Sequence, residues 1–236
     1  MMANMLAILF DIHGNRPALE AVLDDARTAG ADRYLLGGDF AAFGAWPAET
    51  YALLEDLGDA ATWIRGNWER WQGDPQAAPE NPLVQSAVRF VTEALGADTV
   101  ARLAALPGQV TLDGTLFCHA SPISDIDGFS REAGDEDEDQ LLHGVTAERV
   151  IFGHTHLQFA RTSAGGIELA NPGSVGLPWD GDQRAAYALL HDDGALALRR
   201  VAYDVEHTIS AVEALPDEPW AGKTADRLRA AVFDVG

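Results

Sequence analysis

Runs of apolar residues about as long as a strand repeatedly end in side chains that bind metal. Residues 5–10 lead into Asp11-Ile12-His13-Gly14, and later runs lead into Gly38-Asp39, Gly66-Asn67, His119 and Gly153-His154-Thr155-His156. The first run has no polar residue, which suits a strand buried on both faces of a sheet. Side chains at the carboxyl ends of strands converge in open α/β sheets, even when far apart in sequence. Five such ends supply Asp11, His13, Asp39, Asn67, His119, His154 and His156, enough for two cations if one carboxylate is shared. Mixed nitrogen and oxygen donors suit Mn²⁺, Fe²⁺, Zn²⁺, Ni²⁺ or Co²⁺ better than Ca²⁺ or Mg²⁺. His143, His191 and His207 lack strand-end placement and read as ordinary surface or core residues.

The rest of the pattern sets the architecture. Asn15 is placed to cap a helix whose Leu19, Val22, Leu23 and Ala26 share one face, with Gly30 as its stop. Strands are predicted at 33–36 and 61–64, with a helix at 47–57 between them, and residues 68–82, rich in Gly, Pro, Gln and Trp, read as a long loop. Helical spacing returns at 83–95 and 98–106, followed by a hairpin turning at Asp113-Gly114. The acidic run at 135–139 reads as a solvated loop or a helix start. Strands are expected at 150–152, 157–162, 167–170, 185–190 and 196–201, and amphipathic helices at 205–215 and 223–232. Helix-linked strands first and hairpins later predict a layered α/β sandwich, two packed mixed β-sheets flanked by helices, in a single domain over 1–236.

Composition narrows the function. Acidic residues outnumber basic ones 37 to 16, a net charge of −21. Such a field repels long polyanions, so nucleic-acid polymers are excluded as partners. No stretch approaches the roughly 20 apolar residues needed to span a bilayer, and the first four residues lack the basic region of a leader, so a cytoplasmic protein without membrane contact is expected. Cys118 is the only cysteine, which excludes an intramolecular disulfide. Aromatic residues near the late strands leave room for a homo-oligomer contact.

Taken in order, Asp-x-His, Gly-Asp, Gly-Asn, His and Gly-His-x-His over about residues 8–156 resemble the five signature blocks of the calcineurin-like metallophosphoesterase superfamily. Asp11 to Asn15 and Asn171-Pro172-Gly173-Ser174-Val175-Gly176 resemble, more narrowly, its small bacterial phosphodiesterase branch, which includes diadenosine-tetraphosphatase-like enzymes and a scaffold protein of the retromer complex. The resemblance implies that Asp11, His13 and His156 hold one metal, that Asn67, His119 and His154 hold the other, and that Asp39 bridges them. Mn²⁺ is the leading candidate. The implied activity is hydrolysis of a small phosphodiester, phosphoanhydride or nucleotide-like phosphate by a metal-bridging hydroxide, with Asp39, Asn67 and His119 in the catalytic set. Two divalent cations, two carboxylates and one hydroxide sum to roughly +1, enough to attract a phosphate inside an acidic protein.

One position departs from the pattern. Many relatives carry a histidine after Gly-Asn, whereas this chain has Trp68, which has no acid–base chemistry to offer. That favours substrates with good leaving groups, and it keeps a second reading open, a metal-binding scaffold with little catalysis. A protein phosphatase fits the acidic surface less well. Asn15, Arg65, Trp68 and Arg70 are candidate substrate contacts; their competing roles are a helix cap for Asn15, surface ion pairs for the arginines and loop packing for Trp68 and Trp71. The segment 171–176 reads as a turn, or as a backbone nest near phosphate.

Overall fold

The computed structural model of the chain describes residues 5–132, 138–215 and 217–234. Strands β1 (Leu6–Leu9), β2 (Arg33–Leu36) and β3 (Ala61–Trp63) alternate with helices α1 (Arg16–Ala29) and α2 (Pro47–Glu55). Helices α3 (Asn67–Gly73), α4 (Pro82–Leu95) and α5 (Ala97–Ala104) precede the hairpin of β4 (Gln109–Leu112) and β5 (Thr115–Cys118). After the short α6 (Glu138–Leu141) come β6 (Arg149–Ile151), β7 (Phe159–Thr162), β8 (Glu168–Asn171), β9 (Ala185–Leu190) and β10 (Leu196–Val201), then α7 (Val205–Glu213) and α8 (Ala221–Ala230).

The strands form two five-stranded sheets, ordered β10-β9-β1-β2-β3 and β4-β5-β6-β8-β7. Both are mixed: β1, β2 and β3 run parallel while β9 and β10 run antiparallel, and β5, β6 and β8 run parallel while β4 and β7 run antiparallel. The fold is therefore the expected α/β sandwich. The unbroken apolar run of β1 has a direct cause in this arrangement. Leu6, Ile8 and Phe10 pack with Phe117, Ile151 and Ala170 of the opposite sheet, while Ala7 and Leu9 pack in the cluster that holds Leu19, Val22 and Leu23 of α1. Burying each such Leu, Val or Ile contributes roughly 1.5–3 kcal/mol. Helix α1 starts as read: Asn15 Oδ1 accepts from the Ala18 amide at 3.2 Å, and Gly30 ends it at φ 96°.

Two readings need correction. Residues 68–82 are not one long loop, because α3 and a 3₁₀ turn at Pro75–Ala77 occupy much of them. The helix forms despite its brevity because Glu69 accepts from the Gly66 amide at its start and Trp68 and Trp71 bury their rings. Strand β7 begins at Phe159, two residues later than expected. In the acidic run, residues 135–137 lie outside the described residues and α6 begins at Glu138, which bears out the helix start; the solvated alternative fails there, because Glu138 is buried, pairs with Arg161 and accepts from the Ala164 amide. Among the described residues, no helix is long and apolar enough to cross a membrane.

Candidate metal centre

Parallel strands end at the same edge of their sheet, and that geometry assembles the site. Asp11 and His13 follow β1, Asp39 follows β2, Asn67 opens α3 after β3, His119 follows β5, and His154 and His156 follow β6. Asp11, His13 and His156 form one group of potential ligand atoms and Asp39, His119 and His154 another, each within 4.8 Å of one another. Asp39 Oδ2 lies 3.3 Å from His119 Nε2 and 4.0 Å from His13 Nε2, so it faces both groups. Asn67 Oδ1 joins the second at 3.1 Å from His119 Nε2. All seven strand-end side chains predicted from sequence are thus brought together.

The backbone is bent to do this. Asp11, His13, Asp39, His154 and His156 have φ of 54°, 51°, 56°, 65° and 58°, in the left-handed region that costs a non-glycine residue roughly 1–2 kcal/mol. Crossed hydrogen bonds hold the turns: the amides of His13 and Gly14 donate to the carbonyls of Asp39 and Phe40, both at 2.9 Å. Ser174 Oγ donates to the Asp11 carbonyl at 2.7 Å and the Gly176 amide donates to the same oxygen at 3.0 Å. Asn171 donates to the Gly153 carbonyl and to Thr155 Oγ1. The 171–176 segment therefore braces two ligand loops from behind. Two glycines are sterically required. A Cβ on Gly176 would meet the Ile12 carbonyl at 1.8 Å, and one on Gly66 would meet Asp39 Oδ1 at 2.2 Å.

Sequence reading missed Glu69. Fully buried, it accepts from the amides of Asp39 (2.9 Å), Phe40 (2.9 Å) and Gly66 (2.8 Å), tying the Gly-Asp loop to the Gly-Asn loop. Burial and the nearby Asp39 charge push its carboxyl up, and the three amides pull it back.

Whether these residues fit a cation can be judged from their proton inventory. His13 Nδ1 lies 2.9 Å from the Ala42 carbonyl and His156 Nδ1 lies 2.5 Å from the Leu177 carbonyl, so each carries its proton on Nδ1. Burial pushes both imidazoles down, His156 well below its ordinary value, which keeps them neutral. Their Nε2 lone pairs then face each other at 3.1 Å with no hydrogen between them. Asp11 Oδ1, 3.7 Å from His156 Nε2, is buried without a hydrogen-bond partner. Burial also pushes the Asp11 carboxyl well above its ordinary range, and a cation among these three groups offsets that penalty while giving both imidazole lone pairs a partner. At the second group burial works against the charge on His119, yet Asp39 and Asp11 outweigh it and raise the imidazole to about 10; a proton there serves Asp39 and Asn67. Burial and the His119 charge lower His154 to about 4. The donor set fits divalent metal at both positions.

His13, Asp39, Asn67, His154 and His156 line a cavity of about 330 Å³. Its other walls include Phe43, Trp68, Trp71, Trp179 and Trp220, so Trp68 and Trp71 are pocket walls as well as packing residues. Trp179 stacks on His156 at 3.7 Å between ring centroids. Three candidate substrate contacts lie outside this cavity. Asn15 spends its side chain on the α1 cap, the Gly176 carbonyl and Tyr203 Oη. Arg70 is locked in a two-bond pair with Asp125, and Arg65 donates to the Ala104 carbonyl. Both arginines line a separate groove of about 590 Å³ that also reaches His119. A groove of about 700 Å³ beside Arg149 and His143 contains none of the seven ligand candidates.

Comparison with known proteins agrees with this geometry. The family model of the calcineurin-like phosphoesterase superfamily domain matches residues 5–194. The chain belongs to the calcineurin-like phosphoesterase superfamily. It is similar to the crystal structure of a metallophosphoesterase from Sphaerobacter thermophilus, with TM-score 0.79 and 26% identity over 98% of this chain and 100% of that one. A hypothetical protein from Pyrococcus horikoshii shares the fold at TM-score 0.77 and 20% identity, over 91% of this chain and 95% of that one. An uncharacterized protein of Methanocaldococcus jannaschii is 26% identical over 94% of this chain and 98% of its own length. Membership of the superfamily implies divalent metal ions and small phosphorylated substrates. In this calcineurin-like phosphoesterase the family match ends at residue 194, before β10, α7 and α8.

Proposed function

We propose that the protein is a dinuclear phosphoesterase that hydrolyses a small phosphodiester, phosphoanhydride or nucleotide-like phosphate. The observation that carries this reading is the facing pair of His13 and His156 lone pairs beside the orphaned Asp11 Oδ1. Asp11, His13 and His156 hold one ion, Asn67, His119 and His154 the other, and Asp39 is shared, with Mn²⁺ as the favoured metal. When bound, two divalent cations polarise phosphoryl oxygens and bring the pKa of water toward neutrality. The protein's own groups do the rest. The Nδ1 contacts of His13, His119 and His156 with backbone carbonyls fix which ring nitrogen faces inward. Aromatic walls exclude water from one side of the phosphate and fit a flat leaving group. Trp68 stands against Phe43 and Trp71 with no proton to give, which selects leaving groups that depart without an acid.

The test is turnover of bis-p-nitrophenyl phosphate, p-nitrophenyl phosphate and diadenosine tetraphosphate with Mn²⁺. Activity that disappears in both Asp39→Ala and His119→Ala supports the reading. Bound metal with no turnover of any substrate favours the second reading, a scaffold that keeps the site but not the chemistry, for which Trp68 is the specific reason.

A further inference from the structure

The chain's only lysine, Lys223, lines the metal cavity, and so does Arg227 one helical turn later on α8. In so acidic a protein, cations are expected to be neutralised by carboxylates, and most arginines here are. Among the described residues, Lys223 makes no ion pair or hydrogen bond, and Arg227 has no carboxylate within ion-pairing distance, Asp234 acting on it only at longer range. Arg227 is nevertheless held in place. Its guanidinium sits 4.1 Å from the centroid of Phe233 and 5.5 Å from that of Trp179, while Nε donates to the Phe233 carbonyl at 2.9 Å. Both Nη atoms are left without a protein partner among the described residues.

The walls of the same space are aromatic: Phe43, Trp68, Trp71, Trp179 and Trp220 line it beside the candidate metal ligands. Two cations without a carboxylate in ion-pairing distance at the edge of an aromatic pocket suit a ligand with an aromatic ring and more than one anionic oxygen group. At about 330 Å³ the cavity is near the small end of the range for small-molecule sites.

We propose that Lys223 and Arg227 form an anion clamp on α8 that binds a second phosphate of an aromatic phosphoester, while the first phosphate sits at the strand-end ligands. The ring lies among Trp68, Trp71 and Phe43, and the clamp sets specificity for substrates with adjacent phosphates over those with one. As a statement about substrate choice this rests on the phosphoesterase reading, but its binding arm does not.

The experiment is a tryptophan-fluorescence titration of full-length protein with α,β-methylene-ADP, which resists hydrolysis, and with AMP, each with Mn²⁺ and with chelator. In the Mn²⁺ arm the diphosphate should bind about tenfold tighter than AMP or better, since one charge-assisted contact is worth at least that factor. Lys223→Ala and Arg227→Ala should each weaken the diphosphate about tenfold and remove its advantage over AMP, and Lys223→Arg should keep it. In the chelator arm the same two alanine variants should still weaken the diphosphate. Equal affinities for the two nucleotides in wild type, or alanine variants that bind the diphosphate as wild type does, overturn the clamp. If Arg227→Ala loses its fold along with the Phe233 contact, Lys223→Ala at its exposed position decides alone. Failure of every hydrolysis assay with normal clamp binding would sink the phosphoesterase reading and leave the clamp intact; the converse pattern would do the opposite.

Discussion

Removing Glu69 should damage the fold and the metal site together. In Glu69→Ala, the amides of Asp39, Phe40 and Gly66 lose the carboxylate that accepts from all three, in a place with no access to water. An orphaned buried donor costs about 1–3 kcal/mol, so three of them, with some relaxation, cost roughly 3–5 kcal/mol. That is a large part of the ~5–15 kcal/mol a domain has. Glu69→Gln keeps the shape, leaves one amide facing an NH₂ group and removes a charge that burial and Asp39 disfavour, so its cost is smaller, about 1–3 kcal/mol. The same amides hold Asp39 at φ 56°. Weakening a group that positions ligands typically costs roughly tenfold to a hundredfold in metal affinity. Urea unfolding of the metal-free variants, with isothermal titration of Mn²⁺ into each, reads both effects. The order wild type, Gln, Ala should hold in both. An alanine variant with wild-type stability and wild-type Mn²⁺ affinity would refute the reasoning.

Trp68→His places an imidazole beside Asn67 in the cavity, and it should raise turnover most for substrates with poor leaving groups. General-acid assistance is worth roughly 10²–10⁴-fold, so the ratio of rates for alkyl and nitrophenyl diesters should rise by about tenfold or more, and an unchanged ratio contradicts the assignment. Tyr203 gives a pH test. Burial raises its phenol from 10.0 to about 12, with the Asn15 hydrogen bond pulling the other way. The folded state therefore keeps a proton that the unfolded state has lost, and this contribution, whole below pH 10, is lost as pH rises through about 12. It is worth about 3 kcal/mol. Urea unfolding at a series of alkaline pH values should show a shallower decline in Tyr203→Phe, and parallel declines would count against it.

The convergence of the seven candidate ligands was legible in the sequence because their positions follow from topology. A buried parallel strand needs an unbroken apolar run, as in β1, and its carboxyl end must be followed by a turn, where Asp11-Ile12-His13-Gly14 sits. What stayed hidden depends on contacts between distant segments. Helix α3 carries too few residues for a hydrophobic period to show, and the bond that starts it comes from Glu69, whose charge alone argues for solvent. Asn15, a plausible phosphate contact by its place in the motif, is used up by Gly176 and Tyr203, more than 160 positions away. Lys223 had no motif around it, and its place in the cavity follows from how α8 packs on α7.

The most direct test of the account is anomalous scattering at the manganese edge from crystals grown with saturating Mn²⁺. Two peaks should appear, one within coordination distance of His13 Nε2, His156 Nε2 and Asp11, the other beside His119, His154 and Asn67, with Asp39 touching both. A map in which these side chains are ordered around empty space would contradict the claim that cations are what hold the facing imidazoles together.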